Sequence, residues 1–375
     1  MLLTETEGKG LLKSAYVRIP EGVVVRTMVE LRNSKIDFPV AVKAQVTSGG
    51  RGLAGGVVRC ANLLEAEDAF DRIMAIKFGE ELPSGVLVER WLPIARELYL
   101  SVVIDGSAGG FKVLYSPDGG MNVETGKAPT MYDVGLTRNY RAHEFIDLLE
   151  GVEPDRRVLE GVAALTRRLL RIAEAHDCTT IEINPLVVLD DGALVAADAK
   201  VVLDEAAAFR QAFTQERVTL AREAEPEDLR RCHEANLMLV WLDGNVGLLS
   251  GGAGMTMAAM DAIEAAGGQA ACFLDCSGNP TDAGFSLALE LLERNALVKS
   301  ILISMFGGGL QVDRVARTLI NVLQELGISK PVYFRLGGTG QEVATQLLLA
   351  AGYLNHSNLE TAVKHAVEGA RATKS

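Results

Sequence analysis

The sequence predicts an α/β protein of more than one domain, and three observations carry that expectation. The chain has 375 residues, enough for two or three buried cores. Its apolar fraction is 48% with only 5% aromatic residues, and Gly and Ala abound, which suits helices packed closely on sheets. From Val246 onward, a strand, a glycine-rich loop and a helix recur four times, the pattern of a parallel, doubly wound sheet.

Charge and composition exclude several function classes. A net charge of −12 argues against a binder of nucleic-acid backbone. No run of about 18 apolar residues occurs. The N-terminal stretch MLLTETEGKGLLKSAY is charged throughout, so neither a membrane span nor a signal peptide is expected, and a cytoplasmic protein is. Cys60, Cys178, Cys232, Cys272 and Cys276 form no CxxC pair and read as reduced thiols. The five histidines are dispersed and suggest no zinc site.

In chain order, Thr4–Tyr16 reads as a short helix with Gly8 and Gly10 as weak points, and Ile36–Val46 as a strand. Lys43 lies inside that strand, either as a snorkelling surface group or as a phosphate-pairing cation. The run Ser48–Gly56 holds a formal GxGxxG, but a strand (Val57–Cys60) follows it where a dinucleotide site needs a helix. It therefore reads as a glycine-rich hairpin flap whose backbone N–H groups can approach phosphates. Leu63–Phe78 is helical by pattern, with Asn62 as its cap and Glu65 three residues on. Gly85–Arg90 and Ala95–Ile104 read as strands carrying Glu89 and Glu97, either rim charges or acceptors for a ribose or an amine. Phe111–Tyr115 is strand-like, and Arg141–Leu149 and Arg156–His176 are helical.

Residues 181–200 are the most informative stretch. Ile181–Leu186 is β-rich, and Glu182 and Asn184 share one face of it. Asp190, Asp191 and Gly192 supply a turn, and Ala193–Ala197 leads to Asp198 and Lys200, also two apart. A hairpin here brings Asn184 close to Asp198 and gathers hard oxygen ligands suited to Mg²⁺. The plain alternative is a hairpin with its polar residues in solvent. From Val202 to Asn236 charge density rises and Pro226 interrupts it, which marks residues 223–240 as a linker. Beyond it lie strands at Val246–Ser250, Ala270–Asp275, Ser300–Ser304 and Pro331–Leu336. Helices follow at Met255–Ala266, Thr281–Arg294, Asp313–Leu326 and Gln341–Ala351. Asn279 as cap and Pro280 at the first helical position would aim a helix N-terminus at the ligand edge.

Over essentially the whole chain the sequence resembles the β subunit of succinate–CoA ligase and its acid–thiol ligase relatives. The likeness rests on VKAQV…GGRGLAGG, VLVERW…ARELYL, IEINPLVV…DGALVAADAK, GAGMTMAAMDAI, FGG and RLGGTGQE. The resemblance implies an ATP-grasp domain over residues 1–222 and a flavodoxin-like ligase domain over residues 241–375. It assigns Lys43, Gly50, Arg51, Gly52, Glu89, Leu92 (through its backbone) and Glu97 to the nucleotide, ATP or GTP. It makes Asn184 and Asp198 the Mg²⁺ ligands, and Glu182 the acid that positions a phosphohistidine. That histidine, and most of the CoA site, would belong to an α subunit, since no histidine of this chain lies in a matching motif. The reaction implied runs from nucleotide to histidine to carboxylate, and CoA then displaces the acyl phosphate.

The acid-binding part departs from the family. The family's N-G-A-G reads Gly251-Gly252-Ala253-Gly254, which lacks the amide that holds the substrate carboxylate. Gln311 stands where the family usually has arginine, while Gly308, Gly309 and Leu310 remain the substrate-loop positions. These changes imply an acid other than succinate, bulkier or with a differently shaped anion such as a sulfonate. Glycine-loop N–H groups at Gly251–Gly252 and Gly308–Gly309 are candidates to bind that anion. Two other readings are a non-catalytic nucleotide-binding paralogue that scaffolds an α-like partner, and a stand-alone carboxylate–amine ligase. Retention of the metal ligands opposes the former, and the second domain opposes the latter.

Overall fold

The structure is a computed structural model and describes residues 1–47, 51–52, 54–79, 81–120, 128–277 and 280–372. The chain divides into two compact units, Met1–Thr219 and Leu220–Ser375.

The first unit begins with α1 (Glu5–Ser14), β1 (Gly22–Val25), α2 (Met28–Asn33), β2 (Val40–Ala44), β3 (Val57–Cys60), α3 (Leu63–Ala75) and β4 (Val86–Arg90). Thr4 and Glu7 form a reciprocal capping box that starts α1. Strand β2 starts only at Val40, later than the sequence suggests, because Pro39 has no N–H to give the ladder. The strands form an antiparallel sheet in the order β1-β4-β2-β3. Helix α3 lays Phe70 and Ile73 on Val42 and Val88 of that sheet, and Asn62 caps it by accepting from the Glu65 N–H at 3.0 Å. The expected hairpin between β2 and β3 is present, although its tip at Ser48, Gly49, Gly50 and Leu53 lies outside the described residues.

A second sheet follows from β5 (Ile94–Asp105), β6 (Gly110–Ser116), β7 (Thr130–Gly135), α4 (Ala142–Leu149), α5 (Arg156–Ala175), β8 (Cys178–Leu189), β9 (Leu194–Ala196) and β10 (Lys200–Leu203). Its order is β10-β8-β5-β6-β7, with β9 paired to β8. The apolar stripe of α5 (Val158, Val162, Leu169) packs against Leu98, Leu100, Ile181 and Ile183. Helix α1 is held against β10, where a Cβ at Gly8 would come within 3.1 Å of Val201 Cγ2. The weak helix former is there for close approach.

The second unit comprises α6 (Ala212–Ala224, entering from the first unit), α7 (Glu227–Glu234), β11 (Met238–Trp241), β12 (Val246–Ser250), α8 (Ala253–Ala265) and β13 (Cys272–Asp275). It continues with α9 (Asp282–Arg294), β14 (Ser300–Gly307), α10 (Val312–Leu326), β15 (Val332–Gly338), α11 (Gln341–Ala350) and α12 (Leu359–Ala372). The sheet order is β11-β13-β12-β14-β15, parallel except for β11 at the edge. Helices α9 and α10 cover one face and α8 and α12 the other. Both faces of β12 and β14 are therefore buried, which accounts for their unbroken apolar runs.

Two expectations change. Residues 223–240, read as a linker, carry α7, whose Cys232 is fully buried in the second core, and β11. Their high charge is the solvated side of a short amphipathic helix. Helix α9 is capped by Thr281, whose hydroxyl accepts from the Gly284 N–H at 3.0 Å, so Pro280 precedes the helix. Asn279 lies outside the described residues.

Candidate functional site

A buried ionic cluster sits between α1, β2, β4 and the end of the β8–β9 hairpin. The Lys43 ammonium lies 3.0 Å from Glu5 and 2.5 Å from Glu89 and donates to the Ala197 carbonyl at 2.7 Å. Lys9 lies 2.6 Å from both Glu5 and Glu89 and donates to the same carbonyl at 2.8 Å. Arg51 bonds Glu5 at 2.8 Å and spans both oxygens of Asp198 at 2.7 and 2.9 Å. Three carboxylates thus balance three cations; Glu5, Glu89, Lys9 and Lys43 are buried, as paired charges can be, and Asp198 is part-exposed. Burial opposes the ionised form of Glu5, yet Lys43, then Lys9 and Arg51, overcome it and lower its pKa to about 2. Burial also opposes the charge on Lys43, and Glu5 and Glu89 reverse that and raise its pKa above the usual lysine range. For Arg51, Asp198 and Glu5 do the same against desolvation.

Lys43 is therefore no snorkelling group: it is 8% exposed. Glu89, read as an acceptor for a ribose or an amine, is 3% exposed and gives both oxygens to lysines. Sequence reading missed Glu5 and Lys9. Their signal was present, an i,i+4 Glu–Lys pair on a short helix, but such pairs are usually solvated.

The hairpin registers as expected. Leu186 pairs with Ala196 and Glu182 with Lys200, which sets Asn184 opposite Asp198. The Asn184 amide oxygen accepts from the Gly120 N–H at 2.7 Å, and Asp198 takes Arg51 as above. Glu182 is half-buried beside Ser101, its partner across β5 and β8, and 4.0 Å from Lys200. Glu97 is exposed, its backbone carbonyl accepts from Gly119 at 2.8 Å, and its carboxylate occupies the space a side chain at Gly120 would need. Leu92 lies in the β4–β5 connection and is half-buried. Gly52 has nothing within 4 Å of a Cβ position, whereas Gly50 lies outside the described residues. The shortened segment after Gly120 falls largely at residues 121–127, also outside them. Among the described residues, no group of three or more His, Cys, Asp or Glu is arranged to hold a metal. An oxygen pair such as Asn184 and Asp198 fits a hard cation that draws its other ligands from phosphate and water.

In the second unit the strand order along the parallel part reverses between β12 and β14, and the loops after those strands flank a cavity of about 790 Å³. Gly251, Gly308, Gly309 and Leu310 all line it. A Cβ at Gly251 would meet only the Ser277 carbonyl at 3.5 Å and Met305 Cγ at 3.8 Å, ordinary contacts, and Gly308 and Gly309 have nothing within 4 Å. A side chain at position 251 would have room. The Gly252 N–H, expected to be available to an anion, instead donates to Asp275 at 2.6 Å. That carboxylate also takes the Ser277 N–H at 2.9 Å and tightens the loop before α8. That removes the Gly252 N–H from the expectation and leaves Gly251, Gly308 and Gly309.

Comparison with known proteins follows this division. The ATP-grasp domain family matches residues 2–188 and the CoA-ligase family residues 249–374. The chain is 35% identical over 385 residues to the succinate–CoA ligase [ADP-forming] subunit beta of Chloroflexus aurantiacus, covering 99% of each. It is 35% identical over 390 residues to the same subunit of Rubrobacter xylanophilus, again covering 99% of each. In fold it is similar to ATP citrate lyase from Methanothrix soehngenii, solved with citrate and coenzyme A, at a TM-score of 0.74 and 20% identity over 98% of this chain and 99% of that one. Whole-chain identity to the succinate–CoA ligase subunits, with both domain families in the same order, means that this chain belongs to the ADP-forming succinate–CoA ligase β-subunit family of acid–thiol ligases.

Proposed function

We propose that the chain is the nucleotide- and acid-binding subunit of an NDP-forming acid–CoA ligase that acts on an acid other than succinate. It would work with an α subunit that carries a phosphorylated histidine and most of the CoA site. Lys43 and Arg51, freed from their internal carboxylates, supply charge to the nucleotide phosphates. Bound Mg²⁺ would offset phosphate charge, with Asn184 and Asp198 as its protein ligands. Glu182 would orient the partner's histidine while the phosphoryl group moves from nucleotide to imidazole and then to the acid. The carboxylate gains the phosphoryl group as an acyl phosphate, and the CoA thiolate displaces phosphate from it. Retention of Lys43, Arg51, Asn184 and Asp198 opposes a non-catalytic paralogue, which would have no use for them.

The observation that carries the specificity reading is Gly251. An asparagine there would have room, yet position 251 carries no side-chain amide to donate to the distal carboxylate of succinate. Leaving a buried carboxylate unpaired costs on the order of 2–5 kcal/mol. Assayed as the αβ complex against a panel of carboxylic and sulfonated acids, wild type should use succinate poorly. Gly251→Asn should raise kcat/KM on succinate and lower it on the preferred acid. If wild type prefers succinate and the variant leaves the ratio of the two specificity constants unmoved, this reading of the pocket is wrong.

A further inference from the structure

The cavity that lost the family's amide and arginine holds another cation. Arg314 lines it from the first turn of α10, three residues beyond Gln311, which caps that helix without a side-chain bond. Three residues along a helix return to the same face about 4.5 Å further up the axis. Arg314 and Gln311 thus line the cavity from the same side of α10. Arg314 is exposed, and among the described residues no side-chain hydrogen bond or ion pair engages it. Asp282 also lines the cavity, but it accepts from Thr318 at 3.0 Å and makes no salt bridge with Arg314. A cation without a partner in a cavity with glycine-lined walls is available to an anionic ligand.

We propose that Arg314 is a specificity-determining residue that binds the second anionic group of the acid substrate. The substrate class is then a carboxylic acid with a distal carboxylate or sulfonate, set further from the reacting carboxyl than in succinate. This deepens the ligase reading and rests on it for turnover, though not for binding. The walls at Gly308 and Gly309 have no side chain to block a longer acid, and no described hydrogen bond uses their N–H groups. Asp282 opposes a second anion on its own side, which fixes the orientation of a dianion toward Arg314.

The test uses the αβ complex with wild type, Arg314→Ala, Arg314→Lys and, as a control on the same helix, the exposed Arg317→Ala. The probes are succinate, glutarate and adipate, each paired with the monocarboxylate of equal chain length, and 4-sulfobutanoate beside glutarate to separate the two anion types. Calorimetric binding and thioester formation are both read. In wild type one of the longer dianions should exceed its monoanion by roughly 30-fold in affinity and in kcat/KM. Arg314→Ala should erase that ratio, chiefly through KM, and Arg314→Lys should restore part of it. Arg317→Ala should leave it unchanged. Thioester formation with a ratio that Arg314→Ala does not move overturns the assignment and leaves the ligase reading standing. Arg314-dependent binding of dianions without thioester from any acid supports the assignment and sinks the ligase reading. No Arg314-dependent binding of any probe overturns it.

Discussion

Glu5 shows how much one side chain can hold in place. It touches Lys9, Lys43 and Arg51 at once, and it is 1% exposed. Replacing it with glutamine removes the charge and leaves three cations facing two carboxylates. Breaking a buried pair in this way costs about 3–5 kcal/mol, so Glu5→Gln should lower the chemical-denaturation midpoint markedly at neutral pH. The pH dependence has a definite sign. Because the pKa falls on folding from 4.5 to about 2, the stability Glu5 supplies is fully present above pH 4.5 and drains away as pH drops toward 2. An acid-unfolding curve of Glu5→Gln should be flatter than wild type across that window. An unchanged acid limb would mean that Glu5 is not the group titrating there. Lys43 and Arg51 are held in place by the same contacts, so the subsite's geometry depends on a helix that comes first in the chain.

At the level of elements, β8 presents the Asn184 amide and the short link between β9 and β10 presents the Asp198 carboxylate, between the ladder pairs Leu186–Ala196 and Glu182–Lys200. Rigid ladders on both sides fix their separation, which suits a cation that tolerates little distortion. In the structure Arg51 spans Asp198, so a metal ion held by Asp198 as proposed would have to displace the guanidinium from that carboxylate. Asp198→Asn should weaken Mg²⁺-dependent nucleotide binding and reduce phosphorylation of the proposed α-subunit histidine by roughly 100-fold. The measurement is phosphohistidine formation at limiting Mg²⁺, and an undiminished rate there would remove Asp198 from the metal site. The fold of the chain around it should be retained, since asparagine keeps a polar partner for Arg51.

For the molecule as a whole, the two units carry different halves of one chemistry. The first holds the buried cations, with Asn184 and Asp198 as the proposed metal ligands. The second holds a mainly parallel sheet whose glycine loops line a cavity of about 790 Å³. The five histidines lie on α4, at the end of α5, on α7, before α12 and on α12, and none is in those loops. The chain purified alone should therefore bind nucleotide, measured by calorimetry, and form no acyl-CoA. Thioester formation without a second polypeptide would show that the histidine argument fails.

The sequence by itself determined the α/β class, the four strand–loop–helix units and the hairpin that opposes Asn184 to Asp198. Each follows from local rules: period-2 and helical alternation, glycine and proline punctuation, and register set by a short turn. It also marked Gly251 as a missing amide, because that is a matter of residue identity. What only the tertiary structure decided are contacts between residues far apart in the chain. Glu5 meets Arg51 only after α1 docks on β10, a contact that Gly8 permits, and Arg51 meets Asp198 only across 147 residues of chain, which no local pattern announces. The same holds for residues 223–240, where charge suggested a linker and burial of Cys232 made a helix of the second core. Arg314 was one exposed arginine among many until the sheet order placed its turn of α10 beside the loops after β12 and β14. Local propensity is written in neighbours a few residues apart, whereas a site is assembled from side chains that only packing brings together.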